Sequence, residues 1–128
     1  MANDIDISQA ILSELQAYTN DLAERVNKSA RSCANSLRRT LEETSPEKTG
    51  DYKKGWKVRQ VYKNQAVSQF VVYNATDYQL THLLEYGHAI KGGTQRVKAI
   101  PHIAPAEETI VKEFTAKIEK DIQKAGHK

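Results

Sequence analysis

Residues 81–93 read THLLEYGHAIKGG, and His102 follows a few positions later. Histidines beside a glutamate suggest metal chemistry first. A zinc-peptidase helix carries two histidines four apart with a glutamate beside the first, and the inverted pattern reads His-x-x-Glu-His. In HLLEY, Tyr86 stands where that second histidine belongs, and His88 lies past Gly87, off the helix that holds His82 and Glu85. A three-histidine zinc site with His102 would need a convergence that the spacing does not supply. The pair Gly92 and Gly93 suggests a phosphate cradle, but such a loop leads from a strand into a helix, and this one leads from a helix into a strand. Nucleophilic chemistry finds Cys33 far from every histidine and no Gly-x-Ser-x-Gly elbow. Asp77 and Glu85, on one helix, have no environment that would separate their pKa values. The residues therefore assign no catalytic group, no metal ligand and no cofactor.

Nucleic acid is the stronger alternative. Lys53, Lys54, Lys57, Arg59 and Lys63 lie in or beside a strand that also bears Trp56 and Tyr62, and basic side chains among aromatics suit a single-strand-binding sheet. Strand alternation puts Trp56, Val58 and Tyr62 on the face opposite Lys57, Arg59 and Lys63, which favours phosphate attraction over base stacking.

The elements that would position these residues follow from periodicity. Ile7, Ile11, Leu15, Tyr18, Leu22, Val26, Ala30, Cys33, Leu37 and Leu41 recur every three or four positions, which predicts an amphipathic helix over about 6–44. Asp6 with Gln9 reads as its capping box, and Ser45-Pro46 as its end. A helix of roughly 36 residues runs about 50 Å, longer than a small globule covers. With no glycine or proline to kink it, its excess apolar face is expected to meet another subunit, with Leu15, Leu22 and Val26 as interface candidates. Cys33, on that stripe, reads as an inert buried thiol.

Beyond it the period shortens to two, predicting a β-hairpin over about 52–74 with its turn at Asn64-Gln65. Thr76 with Gln79 suggests a capped short helix over about 77–86, stopped by Gly87. A loop over 87–95 follows, flanked by Lys91 and Arg96, then a strand over about 96–100. Pro105 is expected to open a closing helix over about 105–125, with Glu107 and Glu108 at its positive end and Ile110, Phe114, Ile118 and Ile122 along its apolar face. The fold class is α+β: a long N-terminal helix, a small antiparallel sheet with a hairpin, a short middle helix and a C-terminal helix.

At 39% apolar and 27% charged, a chain of 128 residues suits one domain, 1–128. No run approaches the apolar length of a membrane span, and the acid-bearing start MANDIDISQA lacks the pattern of a secretory leader, so synthesis inside the cell and no membrane association are expected. The net charge of +3 is uneven: residues 51–104 hold eight Lys/Arg against three Asp/Glu.

Thr49-Gly50 and Gly55-Trp56, then YQLTHLLEYGHAIKGGTQRVKAIPHIAPAEE over 78–108, resemble the family of tailed-phage morphogenesis proteins that act at the head-tail junction, the gp10-like neck, tail-completion and minor tail components. The elements that carry the resemblance are the leucine-rich helix ending in Glu-x-Gly-His, the glycine-bearing loop and Pro-His-Ile-x-Pro-Ala. They stand here as Glu85, Gly87, His88, Gly93, Pro101, His102, Ile103, Pro105 and Ala106. The resemblance implies a non-enzymatic virion subunit that forms a homo-oligomeric ring between the connector and the tail tube, near the phage DNA. His88 and His102 would then anchor the two ends of a projecting loop, with Lys91 and Arg96 toward a neighbouring subunit.

Overall fold

A computed structural model of the chain describes residues 7–46, 50–62, 68–89 and 95–126. Helix α1, Ile7–Thr44, runs unbroken through 38 residues, a length of about 57 Å at the usual rise. The predicted cap Asp6 lies outside the described residues. At the other end, the Ser45 N–H and hydroxyl both donate to the Leu41 carbonyl, satisfying a group the helix would leave open, and Pro46 follows. Helix α4, Ile103–Lys124, packs antiparallel against α1. The Tyr18 hydroxyl donates to the Ile122 carbonyl, Asp121 accepts from Ser29 at 2.7 Å, and Lys117 donates to Ser32 at 3.0 Å. Gly126 N–H closes the pair on the Asp21 carboxylate at 2.8 Å.

Between these helices the chain makes α2, Asp51–Lys54, then strands β1, Trp56–Tyr62, and β2, Ser68–Asn74. The strands pair antiparallel from Trp56↔Asn74 to Tyr62↔Ser68. The hairpin is thus shorter than expected at its start. Gly50, at φ 84°, lets the chain turn into one helical turn where a strand was expected over 52–55. The turn at 64–65 lies outside the described residues. Helix α3, Tyr78–Tyr86, ends at Gly87, whose φ of 74° only glycine adopts readily. A side chain there would also strike the Val97 carbonyl, 2.5 Å from an added Cβ.

Two further expectations are corrected. Thr76 does not cap α3: its hydroxyl donates to the Asp51 carbonyl at 2.8 Å, while Asn74 Oδ1 accepts from the Asp77 N–H at 2.8 Å. The predicted strand over 96–100 shrinks to β4, Arg96–Val97, paired with β3, His88–Ala89. Its remainder instead ties to α3 through Ile100 N–H on the Leu84 carbonyl.

The hydrophobic core is small. Leu41, Tyr52, Trp56 and Ala106 form its buried centre, with Leu37, Val72, Leu84 and Ile103 packed against it. It joins one end of α1 to the start of α4, the α2 turn and the hairpin. No described helix is long and apolar enough to cross a membrane.

Candidate functional site

Helix α4 begins at Ile103, two residues before the expected start, so Pro105 is its third residue and not its first. The reason comes from α3. Four N–H groups at a helix start lack partners within the helix. Here Glu85 Oε1 accepts from His102 N–H at 2.8 Å and Ile103 N–H at 2.9 Å, and Oε2 accepts from Ala104 N–H at 2.9 Å. Pro105 fills the fourth place and has no N–H to satisfy. One carboxylate and one proline thereby settle the whole helix end, and the negative charge sits at the positive pole of α4.

His102 is 3% exposed and is held on both ring nitrogens. Nδ1 lies 2.8 Å from the Ile100 carbonyl and 3.1 Å from Glu85 Oε1, both acceptors, so Nδ1 carries a proton. In the neutral ring Nε2 then accepts from the Tyr52 hydroxyl, 2.7 Å away. Tyr52 and Trp56 meet edge to face at 5.6 Å between ring centres, and Trp56 Nε1 donates to Ser45 Oγ at 2.7 Å. Asn74 Nδ2 donates to the Tyr52 carbonyl at 2.6 Å. A buried chain of polar contacts thus links the end of α1, the α2 turn, the hairpin, α3 and the start of α4.

Burial alone pushes the Glu85 carboxyl up. The bonds from His102, Ile103 and Ala104, with the His102 ring nearby, outweigh it and hold the group below the usual carboxylate range. Burial pushes the Tyr52 hydroxyl up against an opposing Thr81 hydrogen bond, and Glu85 pushes it further the same way. Each of these groups holds the charge state its neighbours need, and every contact serves a neighbouring segment of the chain.

The other candidates do not gather around this cluster. His82 faces away, exposed, its ring 4.9 Å from that of Tyr86. His88 is half-buried, and its Nδ1 meets no hydrogen-bond partner. Among the described residues no group of three His, Cys, Asp or Glu is placed to hold a metal ion. Cys33 is buried, and that burial pushes its thiol up, with Lys117 opposing and Glu113 adding. Pro101 and Arg96 are exposed. Lys91 and Gly93 lie outside the described residues, as does Lys63.

Of the basic candidates, Lys57 and Arg59 lie exposed on the outer face of β1, while Lys53 and Lys54 belong to α2. Trp56 points the other way and is buried. The structure adds a residue that strand alternation in β1 alone missed. Tyr73, opposite Lys57 in the register, stands on the outer face, and the Arg59 guanidinium lies over its ring at 5.5 Å. Reading the hairpin register together with the alternation of β2 would have found it.

Among the described residues, α1 carries an open apolar end and floors an open apolar groove. Along α1 burial declines steadily: Leu41 and Cys33 are buried, Leu22 and Val26 are half-buried, and Ile7, Ile11, Leu12 and Leu15 are 67%, 54%, 59% and 56% exposed. The α1 segment before Tyr18 projects past the end of α4, so nothing covers it among the described residues. Further along, Leu22, Val26 and Ala30 floor a groove whose walls are Phe70 and Val72 of β2 and Ile110 and Phe114 of α4, with room for about 750 Å³.

No curated protein and no solved structure matches the chain. A family described as "Bacteriophage HK97-gp10, putative tail-component" matches residues 9–87, from the first turn of α1 through the glycine that ends α3. The segment 101–106, which completes the capping cluster, lies beyond the matched span. With more than half of its length matched, the chain belongs to the bacteriophage HK97 gp10-like family of tail components.

Proposed function

We propose that this tail-associated structural protein works without catalysis, as a subunit of a ring at the head-tail junction, in the neck or completing the tail, where it joins the connector to the tail. The observation that carries this reading is the projecting end of α1, whose four large aliphatic side chains are each more than half exposed. Large contiguous apolar surface of this kind marks a protein contact site. The polar groups of the motif fit a structural role, because Glu85, His102, Tyr52 and Trp56 are already bonded to one another, to the Ser45 hydroxyl or to backbone. Deleting the gene is expected to leave filled heads and separate tails, visible by electron microscopy and countable as loss of infectivity. Joined, infectious particles from the deletion would refute the proposal.

A second reading, contact between the hairpin and DNA passing through the ring, is favoured by one observation. The outer face made by Lys57, Arg59, Val61, Gln69, Val71 and Tyr73 holds two cations, an exposed aromatic and no carboxylate. Double replacement Lys57→Ala with Arg59→Ala is expected to lower the slope of log affinity against log salt by about 1.8 for duplex DNA. An unchanged slope would remove this face from DNA contact.

A further inference from the structure

The exposed end of α1 and the apolar groove lie on the same unbroken helix. A chain therefore cannot bend its own helix end back into its own groove, whereas a second copy can supply one. The exposed side chains Ile7, Ile11, Leu12 and Leu15 recur at the spacing of a single helix face, the form of an amphipathic helix that beds into an apolar trough. Charge then selects the arrangement. Residues 1–15 hold three Asp/Glu and no Lys or Arg, whereas the chain from Gln16 onward, which contains the groove, holds nineteen Lys/Arg against thirteen Asp/Glu. Two such acidic ends laid side by side would set like charges together, while an acidic end against the body of another copy sets opposite charges together.

We propose that residues 7–15 of one copy lie in the groove between α1, β2 and α4 of the next copy. This rests on the ring reading above and names its contact. Each copy then offers one helix end and one groove, a head-to-tail association that closes into a ring when the rotation between copies allows it. The groove floor of Leu22, Val26 and Ala30 would gain the cover that the fold itself does not provide.

The test uses the full chain in three forms, followed by sedimentation equilibrium. Ile11→Ser with Leu15→Ser disables the helix end. Ala30→Trp fills the groove, and Ala23→Glu, at the half-exposed groove margin, repels an acidic helix end without altering the core, so one groove variant remains if the other misfolds. Far-UV circular dichroism checks that each variant keeps its helix content. The wild type is expected to grow beyond two copies as concentration rises, and each variant alone to sediment as a single copy. The helix-end variant mixed with a groove variant is expected to form a two-copy complex and nothing larger, because one intact end then meets one intact groove. A wild type that stays a single copy, or that stops at two, overturns the contact, as does a mixture that fails to pair or a helix-end variant that still associates. If that happens while the gene deletion still leaves heads and tails unjoined, the junction role stands and the ring is built through another surface.

Discussion

Replacing Glu85 with alanine is expected to destabilise the protein by about 3–5 kcal/mol, because it strips three backbone N–H groups of charge-assisted partners at a largely buried helix end. Glu85→Gln keeps the shape but removes the charge and turns one oxygen into a donor facing the Ala104 N–H, 2.9 Å away in the wild type. It is expected to cost about 2–3 kcal/mol. Urea unfolding at pH 7, followed by circular dichroism, measures both, and a glutamine variant with an unshifted midpoint would show that the carboxylate does not organise α4. The same group predicts a pH dependence. Its folded-state pKa lies below its unfolded value, so its stabilisation is fully present above the unfolded carboxyl value of about 4.3. That contribution fades as pH falls through the lower folded value. The glutamine variant should lose this part of the acid limb and unfold with a flatter profile between pH 5 and pH 2, a range estimated roughly from carboxylate titration.

Trp56→Ala is expected to cost a similar amount, about 3–5 kcal/mol, through the cavity left in a core whose buried centre is Leu41, Tyr52, Trp56 and Ala106. Against a typical stability of about 5–15 kcal/mol, that is a large share. Trp56→Phe separates packing from hydrogen bonding. It keeps most of the ring but leaves Ser45 Oγ without its donor at 2.7 Å, so a loss of about 1–2 kcal/mol is expected. Thermal unfolding measures both variants. If phenylalanine proves as damaging as alanine, the indole N–H matters more than the volume, and if alanine costs under about 1 kcal/mol the core is not centred on this residue.

The elements held together by local pattern were readable in the sequence. Helix α1 follows from a stripe with regular spacing and no breaker, and the hairpin from a period of two on either side of a polar turn. The start of α4 was not readable, because its cap sits on α3, 17 residues before His102 in the chain. Local rules favoured Pro105 as the first helical residue, and a carboxylate arriving from another element moved the boundary to Ile103. A signal was nonetheless present: Glu85 is the sole Asp/Glu between Asp77 and Glu107 and sits among Leu83, Leu84 and Tyr86. A lone carboxylate in an apolar helix needs buried donors. Tyr52 was missed for a related reason. Its place at the start of an expected basic strand gave no hint that His102, fifty positions later, would accept its hydroxyl. His102 looked like chemistry because a catalytic or metal-binding histidine and an architectural one can both be buried rings bonded on two sides, and its partners, Glu85, Ile100 and Tyr52, appear only in three dimensions.

The Glu85 clasp grips main chain, not side chains. Apart from the proline that completes it, the place where α4 starts is therefore insensitive to which side chains stand at 102–104, while its packing on α1 still rests on residues such as Lys117 and Asp121. Its outer surface, where Val111 is already exposed, is free to drift and to be refitted to new neighbours while the frame beneath keeps its shape.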